Sequence, residues 1–509
     1  MNYKHLPFFI TSYTLLLFLL FPGYRYVLDP DATGYFSVSE HLAKGDLNNS
    51  INGIWSPLGS WFLAPFIKFG FDAILAAKYL NGLYGLISLI AYFYFIKKFQ
   101  INFFIELAIM VAGLFLMLHF VFSRQFGDLL QVLFLLLYLN VICSENFYRN
   151  YARIAVAAVI GGIGFYAKAY TFYFMLIHLP LSIYLSQEKL SKQLIKKILV
   201  AVILLFFIVF FWIFTLQSKY GHFIIGEKQI AGTLSSQYNQ QRVLIYPPPY
   251  KDSYSTFDDI SFFKLKTITP FTNSNLFIHQ CKLIFFNFVS LISSLNEFSF
   301  ASISIILISV FLFFKNKLFR NKKNILLLSF ITVWPSGFLL FHVESRFLWI
   351  IALCILVLGG IILSEFLHIY KKKNTYLFCL LIIGSFCLYP ILLLKYQYGT
   401  GKNLFEIADA FKKNNIKGNI LTANQSDDDL SKSIIINYLA KCRHYGPYVR
   451  DYTSEEILGA IKDYSIDYFI LYYSTPTQKQ LLLTGDLALN ASFVYRDIYP
   501  GVIVLSFRK

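Results

Sequence analysis

Four charged side chains lie beside apolar stretches of this sequence, where helices that cross a membrane would begin or end. Asp29 and Asp31 occur in the stretch LDPDATGY, directly after the first apolar run. Asp128 opens a later apolar run, and Lys168 separates two short ones. Ionisable groups at a membrane are costly, so each of these residues is a candidate for function. Two carboxylates from different helices can share a metal ion or flank a reacting hydroxyl, and an isolated cation favours an anion such as phosphate.

The acids also have a structural interpretation. Pro30 disfavours helical backbone at Asp29 and leaves Asp31 at an expected helix start, so one of the two is predicted to be a helix N-cap. The helix dipole keeps a carboxylate at such a position ionised, which suits a general base or a metal ligand. Capping accounts equally well for Asp128. Both interpretations stay open at the level of sequence.

The stretch HVESRF at residues 342–347 contributes one more acid and one more cation, Glu344 and Arg346. These two side chains either pair with each other or leave Arg346 as a second phosphate-binding cation beside Lys168. Arg124, in the short stretch SRQFG, is a third cationic candidate.

The composition is that of a protein with many membrane-spanning helices. Of the 509 residues, 57% are hydrophobic and 14% are charged, and the mean hydropathy of +0.56 is far above that of water-soluble domains. The formal net charge is +17, but the basic residues cluster between apolar runs, which indicates membrane topology rather than nucleic-acid binding. The six cysteines show no paired spacing typical of a disulfide framework or a zinc site.

Apolar runs of the length that a membrane span requires recur along most of the chain. We predict spans at residues 6–24, 73–96, 103–121, 128–143, 154–167, 170–186, 198–216, 298–314, 325–341, 347–364 and 376–394. Lysines and arginines concentrate in every second linker, so the positive-inside rule places those linkers in the cytoplasm. About eleven spans follow, with the N-terminus in the cytoplasm.

Two of the outward-facing linkers are long. Residues 25–72 are predicted to form two helices at the outer surface, one over Ala32–Lys44 and one from the stretch WSPLGSWF onward. The second long linker covers residues 217–297 and is expected to end in an interfacial helix at 281–297.

The composition changes to that of a soluble domain after the last predicted span. Thr453 and Glu456 form a capping box, and two continuous apolar runs follow that are typical of buried strands. The fold class predicted is therefore an α-helical polytopic membrane protein, with a transmembrane domain over 1–394 and a small C-terminal α/β extracytoplasmic domain over 395–509.

The predicted topology brings the charged candidates to one side of the membrane. The acids come from the first outer linker and the fourth span, and the cations come from two later outward turns. We expect Asp31, Asp128, Lys168 and Arg346 to line a common cavity at the non-cytoplasmic border of the bilayer. Acids next to phosphate-binding cations at this level indicate group transfer from a phosphate-bearing lipid, with the lipid phosphate as the leaving group.

Five stretches in this order resemble the GT-C glycosyltransferases, and most of all the bacterial aminoarabinose transferases and the protein O-mannosyltransferase-like families. The stretches are PDATGY, WSPLGSWFLAPF, FGDLLQVLFLLLYL, GIGFYAKAYTF and ESRFLWIIALCILVL, spread over residues 1–364. The resemblance implies a many-helix membrane domain, interfacial helices in the first outer loop and a C-terminal extracytoplasmic domain. It also implies a multi-pass protein of the bacterial inner membrane.

The resemblance further implies a reaction and roles for individual residues. Such enzymes use polyprenyl-phosphate-linked sugars as donors, invert the anomeric centre, and act on a glycan, lipid or protein acceptor through a hydroxyl or an amine. By motif, Asp31 corresponds to the general base and Asp128 to the second acid, and Lys168 and Arg346 correspond to cations near the donor phosphate. The remaining substrate-binding candidates are Glu344, Arg124 and Asp29.

This sequence departs from the pattern of the resembling families at two places: after the first acid, and after Lys168, where Ala169-Tyr170 stands and many members have Gly-Pro or a similar pair. Many members have Asp-Glu where this chain has Asp31-Ala32. A divalent metal ion held by Asp31 and Asp128 is therefore an open alternative rather than an implied cofactor.

Other classes of protein are compatible with parts of the pattern. A lipid or glycan transporter or flippase without transferase activity would carry charged or broken helices near the bilayer midplane, whereas the candidates here cluster at the outer boundary. An O-antigen polymerase or ligase would carry its principal polar loop late in the chain. A receptor-like protein would use the C-terminal domain to bind glycan or peptide, and its acids would be helix caps.

Overall fold

The computed structural model describes residues 4–123, 127–187, 191–226, 245–263, 269–316, 319–370, 373–422, 426–446, 453–473, 477, 480 and 485–508. The chain divides into two compact units. The membrane unit comprises Met1–Tyr24, Ile74–Gly226 and Ile268–Tyr398. The α/β unit comprises Arg25–Ala73, Glu227–Thr267 and Gly399–Lys509.

The helices of the first part of the chain are α1 (Leu6–Tyr24), α2 (Pro30–Ala43), α3 (Leu47–Ser50), α4 (Pro57–Lys68), α5 (Ala73–Ile96), α6 (Phe103–Ser123), α7 (Asp128–Ile142), α8 (Tyr151–Ala167), α9 (Tyr170–Ser186) and α10 (Lys192–Tyr220). Those of the second part are α11 (Ser274–Phe298), α12 (Ser302–Lys315), α13 (Lys322–Ser336), α14 (Trp349–Ile369), α15 (Lys373–Gln397), α16 (Lys402–Lys413), α17 (Asp427–Ala440), α18 (Ser454–Asp463) and α19 (Asp486–Leu489). The strands are β1 (Asn419–Thr422), β2 (Arg443–Tyr445), β3 (Tyr468–Tyr472), β4 (Phe493–Tyr499) and β5 (Val502–Ser506).

The membrane unit is a bundle of apolar helices. Within the described ranges, eight helical segments are long and apolar enough to cross a membrane, and α7, α8, α9 and α12 are shorter apolar helices. Each of the eleven predicted spans coincides with a helix, but the number that cross the bilayer stays a prediction. The segment predicted as an interfacial helix belongs to α11, which is itself among the eight. The chain is an integral multi-pass membrane protein.

Two sets of neighbouring helices organise the bundle. Helix α6 packs against α1, α14 and α15, and α8 packs against α7, α9 and α10. Helix α14 is buried along most of its length, so it is a central helix of the bundle. This packing places the start of α7 and the turn between α8 and α9 on adjacent elements.

The C-terminal part of the α/β unit contains a mixed five-stranded sheet in the order β2-β1-β3-β5-β4. Strand β1 pairs in parallel with β2 and β3, and β5 pairs antiparallel with β3 and β4. Both faces of the sheet are covered, by α16 and α17 on one side and α18 on the other. Burial on both faces is why the strands read as continuous apolar runs in the sequence. The predicted capping box of Thr453 and Glu456 opens α18.

A segment of the long linker holds the first-linker helices and the C-terminal part of this unit together. The Nε1 atom of Trp55 donates to the carbonyl of Phe257 at 2.7 Å. Tyr254 and Tyr438 donate their hydroxyls to Glu40 on α2, at 2.9 and 2.8 Å. The carboxylate of Glu40 therefore joins α2, the linker segment 245–263 and α17.

Asp258 is the buried polar centre of this linker segment. Its carboxylate accepts from the backbone N–H of Tyr254 at 2.7 Å and from the hydroxyl of Ser37 at 2.9 Å. Burial raises the pKa of Asp258 to about 7, while these hydrogen bonds act in the opposite direction and the charge of Glu40 adds to the rise. A carboxyl with this pKa is largely protonated in the folded protein at mildly acidic pH.

The raised pKa of Asp258 predicts a pH dependence of stability. Because the folded state binds this proton more tightly than the unfolded state, the stabilisation is complete below about pH 4 and is lost as pH rises through about 7. Replacing Asp258 with asparagine is expected to remove this dependence, worth up to about 1.4 kcal/mol per pH unit. The measurement is the thermal unfolding midpoint of the purified protein at pH values from about 4.5 to about 7.5, in steps of about half a pH unit.

The matched control for this experiment is Asp252→Asn, which makes the same change at an exposed position of the same segment. Its profile is expected to follow that of the wild type. Parallel profiles for the wild type and Asp258→Asn would contradict the assignment of the pH dependence to Asp258.

Candidate functional site

Asp128 is the first residue of α7. The preceding Gly127 has φ +57°, a left-handed conformation that glycine adopts without strain, and this sets the direction in which the helix starts. An acid in the first turn of a helix is favoured by the helix dipole. The side chain of Asp128 is buried, with 8% of its surface exposed.

Lys168 lies at the junction between α8 and α9. Its backbone is extended, with φ −159° and ψ 124°, and its N–H donates to the carbonyl of Gly164 at the end of α8. The break in the helix is what directs the lysine side chain towards α7. A cation at the C-terminal end of a helix is favoured by the dipole, as an acid is at the start.

The structure brings the predicted acid and both principal cations together. The Nζ atom of Lys168 forms a short ion pair with Oδ1 of Asp128. The Nη1 atom of Arg346, in the 3₁₀ turn Ser345–Leu348, lies 3.7 Å from Oδ2 of the same carboxylate. Lys168 has no acid next to it in the sequence, and its acidic partner comes from a residue 40 positions away.

Arg346 also pairs with Glu344, as one of the two sequence interpretations predicted. Its Nε lies 2.6 Å from Oε2 of Glu344, and its Nη2 donates to Oε1 at 3.2 Å. His342 lies 3.4 Å from Glu344 and is 60% exposed. Exposure thus rises from the buried Asp128 to His342, so the cluster extends from the interior of the bundle to its surface.

The charged residues of the site are Asp128, Lys168, Glu344 and Arg346, which we call the Asp128 cluster. Their formal charges balance, because two cations face two carboxylates. Asp128 sits between the two cations and fixes the distance between them. The buried Lys168 and the partly buried Arg346, held by one carboxylate, can bind a phosphate dianion if the carboxylate shares or yields its contacts.

Several residues of this site were missed by sequence reasoning. The ring of Phe347 lies below both cations, 4.6 Å from Nζ of Lys168 and 5.2 Å from the guanidinium carbon of Arg346. Gln131 donates to the hydroxyl of Thr171 at 2.9 Å. Gln131 and Thr171 each follow a cluster residue by three positions, a helical spacing that could have identified them.

Three aromatic side chains, those of Trp334, Tyr170 and Phe338, position the turn that carries Arg346. Trp334 donates its Nε1 to the carbonyl of Phe347 at 2.7 Å, and Tyr170 donates its hydroxyl to the carbonyl of Trp334 at 2.6 Å. Phe338 stacks on Phe347 with ring centroids 4.8 Å apart. These contacts connect the turn after Lys168 to the turn that contains Arg346.

Asp29 and Asp31 belong to the α/β unit. Asp29 is the N-cap of α2, and its Oδ1 accepts from the backbone N–H of Asp31 at 3.2 Å. Asp31 lies in the first turn of that helix and is half-buried. The capping role therefore falls on Asp29, while the catalytic role of Asp31 stays a prediction.

Two further sequence expectations concern Arg124 and a metal ion. Arg124 lies outside the described residues. Among the residues that the structure describes, no group of three or more His, Cys, Asp or Glu side chains is arranged to hold a metal ion. A metal shared by Asp31 and Asp128 stays a prediction.

No protein-family model and no curated protein matches this sequence. Solved structures do match the fold. ArnT from Cupriavidus metallidurans bound to undecaprenyl phosphate is similar at 11% identity and a TM-score of 0.53, over 98% of this chain and 97% of that one. The same protein in the apo state is similar at 11% identity and a TM-score of 0.53, over 97% and 98%. The apo oligosaccharyltransferase of Archaeoglobus fulgidus is similar at 11% identity and a TM-score of 0.53, over 92% of this chain and 70% of that one.

These similarities extend over nearly the whole chain, so they concern the architecture and not one domain. ArnT and the archaeal oligosaccharyltransferase are GT-C glycosyltransferases. This chain shares the fold of these two proteins: a many-helix membrane region with a small C-terminal sheet domain.

Proposed function

We propose that this protein is a glycosyltransferase that moves a sugar from a polyprenyl-phosphate-linked donor to an acceptor at the outer face of the membrane. The observation that carries the proposal is the cluster of Asp128, Lys168 and Arg346 in a chain with the GT-C fold. ArnT from Cupriavidus metallidurans, which shares this fold, is bound to undecaprenyl phosphate. A phosphate of this kind needs desolvated cations, and Lys168 and Arg346 supply two.

The proposed reaction is a displacement at the anomeric carbon of the donor sugar. The acceptor oxygen or nitrogen forms a bond to this carbon as its proton passes to the carboxylate of Asp31. The bond from the anomeric carbon to the phosphate oxygen breaks, and the electron pair leaves with the polyprenyl phosphate. Attack opposite to the leaving group inverts the anomeric centre.

Lys168 and Arg346 act on the leaving group in this proposal. Negative charge grows on the phosphate oxygen as the bond breaks, and two fixed cations stabilise it without having to reorganise. Asp128 holds the cations at the correct distance, and Glu344 fixes the guanidinium plane of Arg346. A divalent metal ion, if one is used, would add positive charge beside the phosphate.

The acceptor is proposed to be a glycan, a lipid or a protein. The long linker 217–297 and the C-terminal domain 395–509 are proposed to help select it, because both are predicted to face the extracytoplasmic side. The protein is proposed to reside in a bacterial inner membrane with its C-terminal domain on the extracytoplasmic side.

A test of the proposed function uses the purified full-length protein in detergent. The protein is incubated with a panel of polyprenyl-phosphate-linked sugars and candidate acceptors, and release of free polyprenyl phosphate is measured. Release with at least one donor, dependent on acceptor, is the expected result. If a folded protein that binds polyprenyl phosphate releases none with any donor, the transferase proposal is contradicted, and transport of the lipid in proteoliposomes becomes the measurement to make.

A further inference from the structure

A second basic site lies at a different position in the membrane unit. A cavity of about 480 Å³ is formed by the turn after α5, the turn before α13 and one face of α14. Its lining includes Lys98, Lys322, Lys323, Asn321, Phe319 and Glu365. The basic linkers that form it are those predicted to face the cytoplasm. None of these residues belongs to the Asp128 cluster.

The described lining of this basic pocket carries an excess of positive charge. Lys98, Lys322 and Lys323 face a single carboxylate, that of Glu365. A second acid near the same end of the bundle, Glu106, is engaged by Lys97, whose Nζ lies 2.5 Å from its Oε1. The charge balance of the pocket therefore favours an anionic ligand.

Local structure increases this positive potential. Helix α13 starts at Lys322, and its N-cap Asn321 accepts from the backbone N–H of Asn324 at 2.9 Å. The helix dipole makes such an end partly positive, so acids are the stabilising residues there. This sequence instead places Lys322 and Lys323 in the first turn. Two cations at the positive end of a helix, beside a third lysine, are stabilised by a bound anion.

The lysines are held in place by contacts within the bundle. The Nζ atom of Lys323 donates to the backbone carbonyl of Lys98 at 2.9 Å, which joins the two turns of the pocket. The Nζ atom of Lys322 lies 4.7 Å from the ring centroid of Tyr148. The pocket is thus partly formed before a ligand arrives.

The positive-inside rule accounts for basic residues in the two turns that form the pocket, but it does not account for their arrangement around a cavity. Lys315 carries the same signal and is exposed at the end of α12. The pocket also has an apolar side, formed by Phe99, Phe319 and Ile361. Cations on one side and apolar groups on the other match the junction between a phosphate headgroup and its acyl chains.

We propose that this basic pocket binds a phosphate group carried by an anionic phospholipid of the surrounding leaflet. The phosphate contacts Lys98 and Lys322, and the glycerol and first acyl carbons lie against the apolar side. The site is independent of the sugar donor and of the proposed transfer reaction. It fixes the ends of α5 and α13 to the membrane surface.

The test measures binding of three probes to the full-length protein in a non-ionic detergent: phosphatidylglycerol, phosphatidylcholine and inorganic phosphate. Native mass spectrometry gives the apparent dissociation constants. Phosphatidylglycerol is expected to bind more tightly than either other probe, and its binding is expected to weaken as salt is added. Inorganic phosphate binding as tightly as the lipid would overturn the lipid assignment while supporting a phosphate site.

Variants separate the pocket from the general basicity of the protein. Lys98→Gln and Lys322→Gln are expected to weaken phosphatidylglycerol binding by about fivefold each. Lys322→Arg is expected to retain it, and Lys315→Gln is the matched control that removes the same charge outside the pocket. Elution as a single monodisperse species shows that each variant is folded. Equal weakening by Lys315→Gln and Lys322→Gln, or by neither, would overturn the proposal.

Discussion

Asp31→Asn is expected to lower the rate of sugar transfer by about 10²- to 10⁴-fold, which is the usual contribution of a positioned general base. Asparagine has nearly the same shape but cannot accept the acceptor's proton. Since Asp29 is the N-cap of α2, the change at Asp31 leaves the cap side chain in place. The measurement is the initial rate of polyprenyl phosphate release by the purified variant with a saturating donor.

The matched control for Asp31→Asn is Asp72→Asn, which removes an exposed carboxylate from the same linker. Its rate is expected to equal that of the wild type. The dependence of the rate on pH gives a second readout, because loss of the base removes the limb in which activity rises with pH. Wild-type turnover in Asp31→Asn would exclude Asp31 as the base.

Lys168→Met is expected to lower transfer by about 10²- to 10³-fold, the effect of removing one group that stabilises charge in the transition state. The variant loses one of the two cations assigned to the leaving phosphate, while the ion pair between Arg346 and Asp128 stays in place. Affinity for polyprenyl phosphate is expected to fall together with the rate. The measurements are the rate of release and the dissociation constant of undecaprenyl phosphate.

A change that breaks a buried ion pair also costs stability, so Lys168→Met needs a control with the same structural cost. Lys97→Met breaks the pair between Lys97 and Glu106, whose side chains are 11% and 10% exposed. The pair of Lys168 and Asp128 is comparable, at 10% and 8%. Both variants are expected to be destabilised, but only Lys168→Met is expected to lose affinity for polyprenyl phosphate. Equal affinity in the two variants would assign Lys168 a purely structural role.

The helices of the membrane unit were predictable because their ends are marked in the sequence. The first predicted span, 6–24, and the second, 73–96, coincide with α1 and α5. Each ends where apolar residues give way to Pro, Gly or charged residues, and such local signals determine where a helix stops. Asp128, Lys168 and Arg346 lie at such helix ends. They were identified as candidates because ionisable groups beside apolar runs are costly.

The pairing of these residues was not predictable from local patterns. Helical periodicity relates residues three or four positions apart, whereas Lys168 and Asp128 are 40 positions apart. Their contact depends on the packing of α8 against α7, and the role of Phe347 depends on the turn before α14. Tertiary packing of this kind has no signature in a single sequence.

The long linker, residues 217–297, also contains a tertiary contact that local sequence patterns do not predict. Nothing in its sequence indicated that Asp258 is buried against Ser37. Buried carboxyls are rare, and an acid in a polar linker is expected to be exposed. The structure places Asp258 at a buried, proton-binding position that the sequence analysis did not identify.

The most direct test of the central claim is an experimental structure of the full-length protein with undecaprenyl phosphate bound. The claim predicts that the phosphate lies within hydrogen-bonding distance of Nζ of Lys168 and of the guanidinium of Arg346. A phosphate bound elsewhere in the protein, with the Asp128 cluster intact and empty, would contradict it.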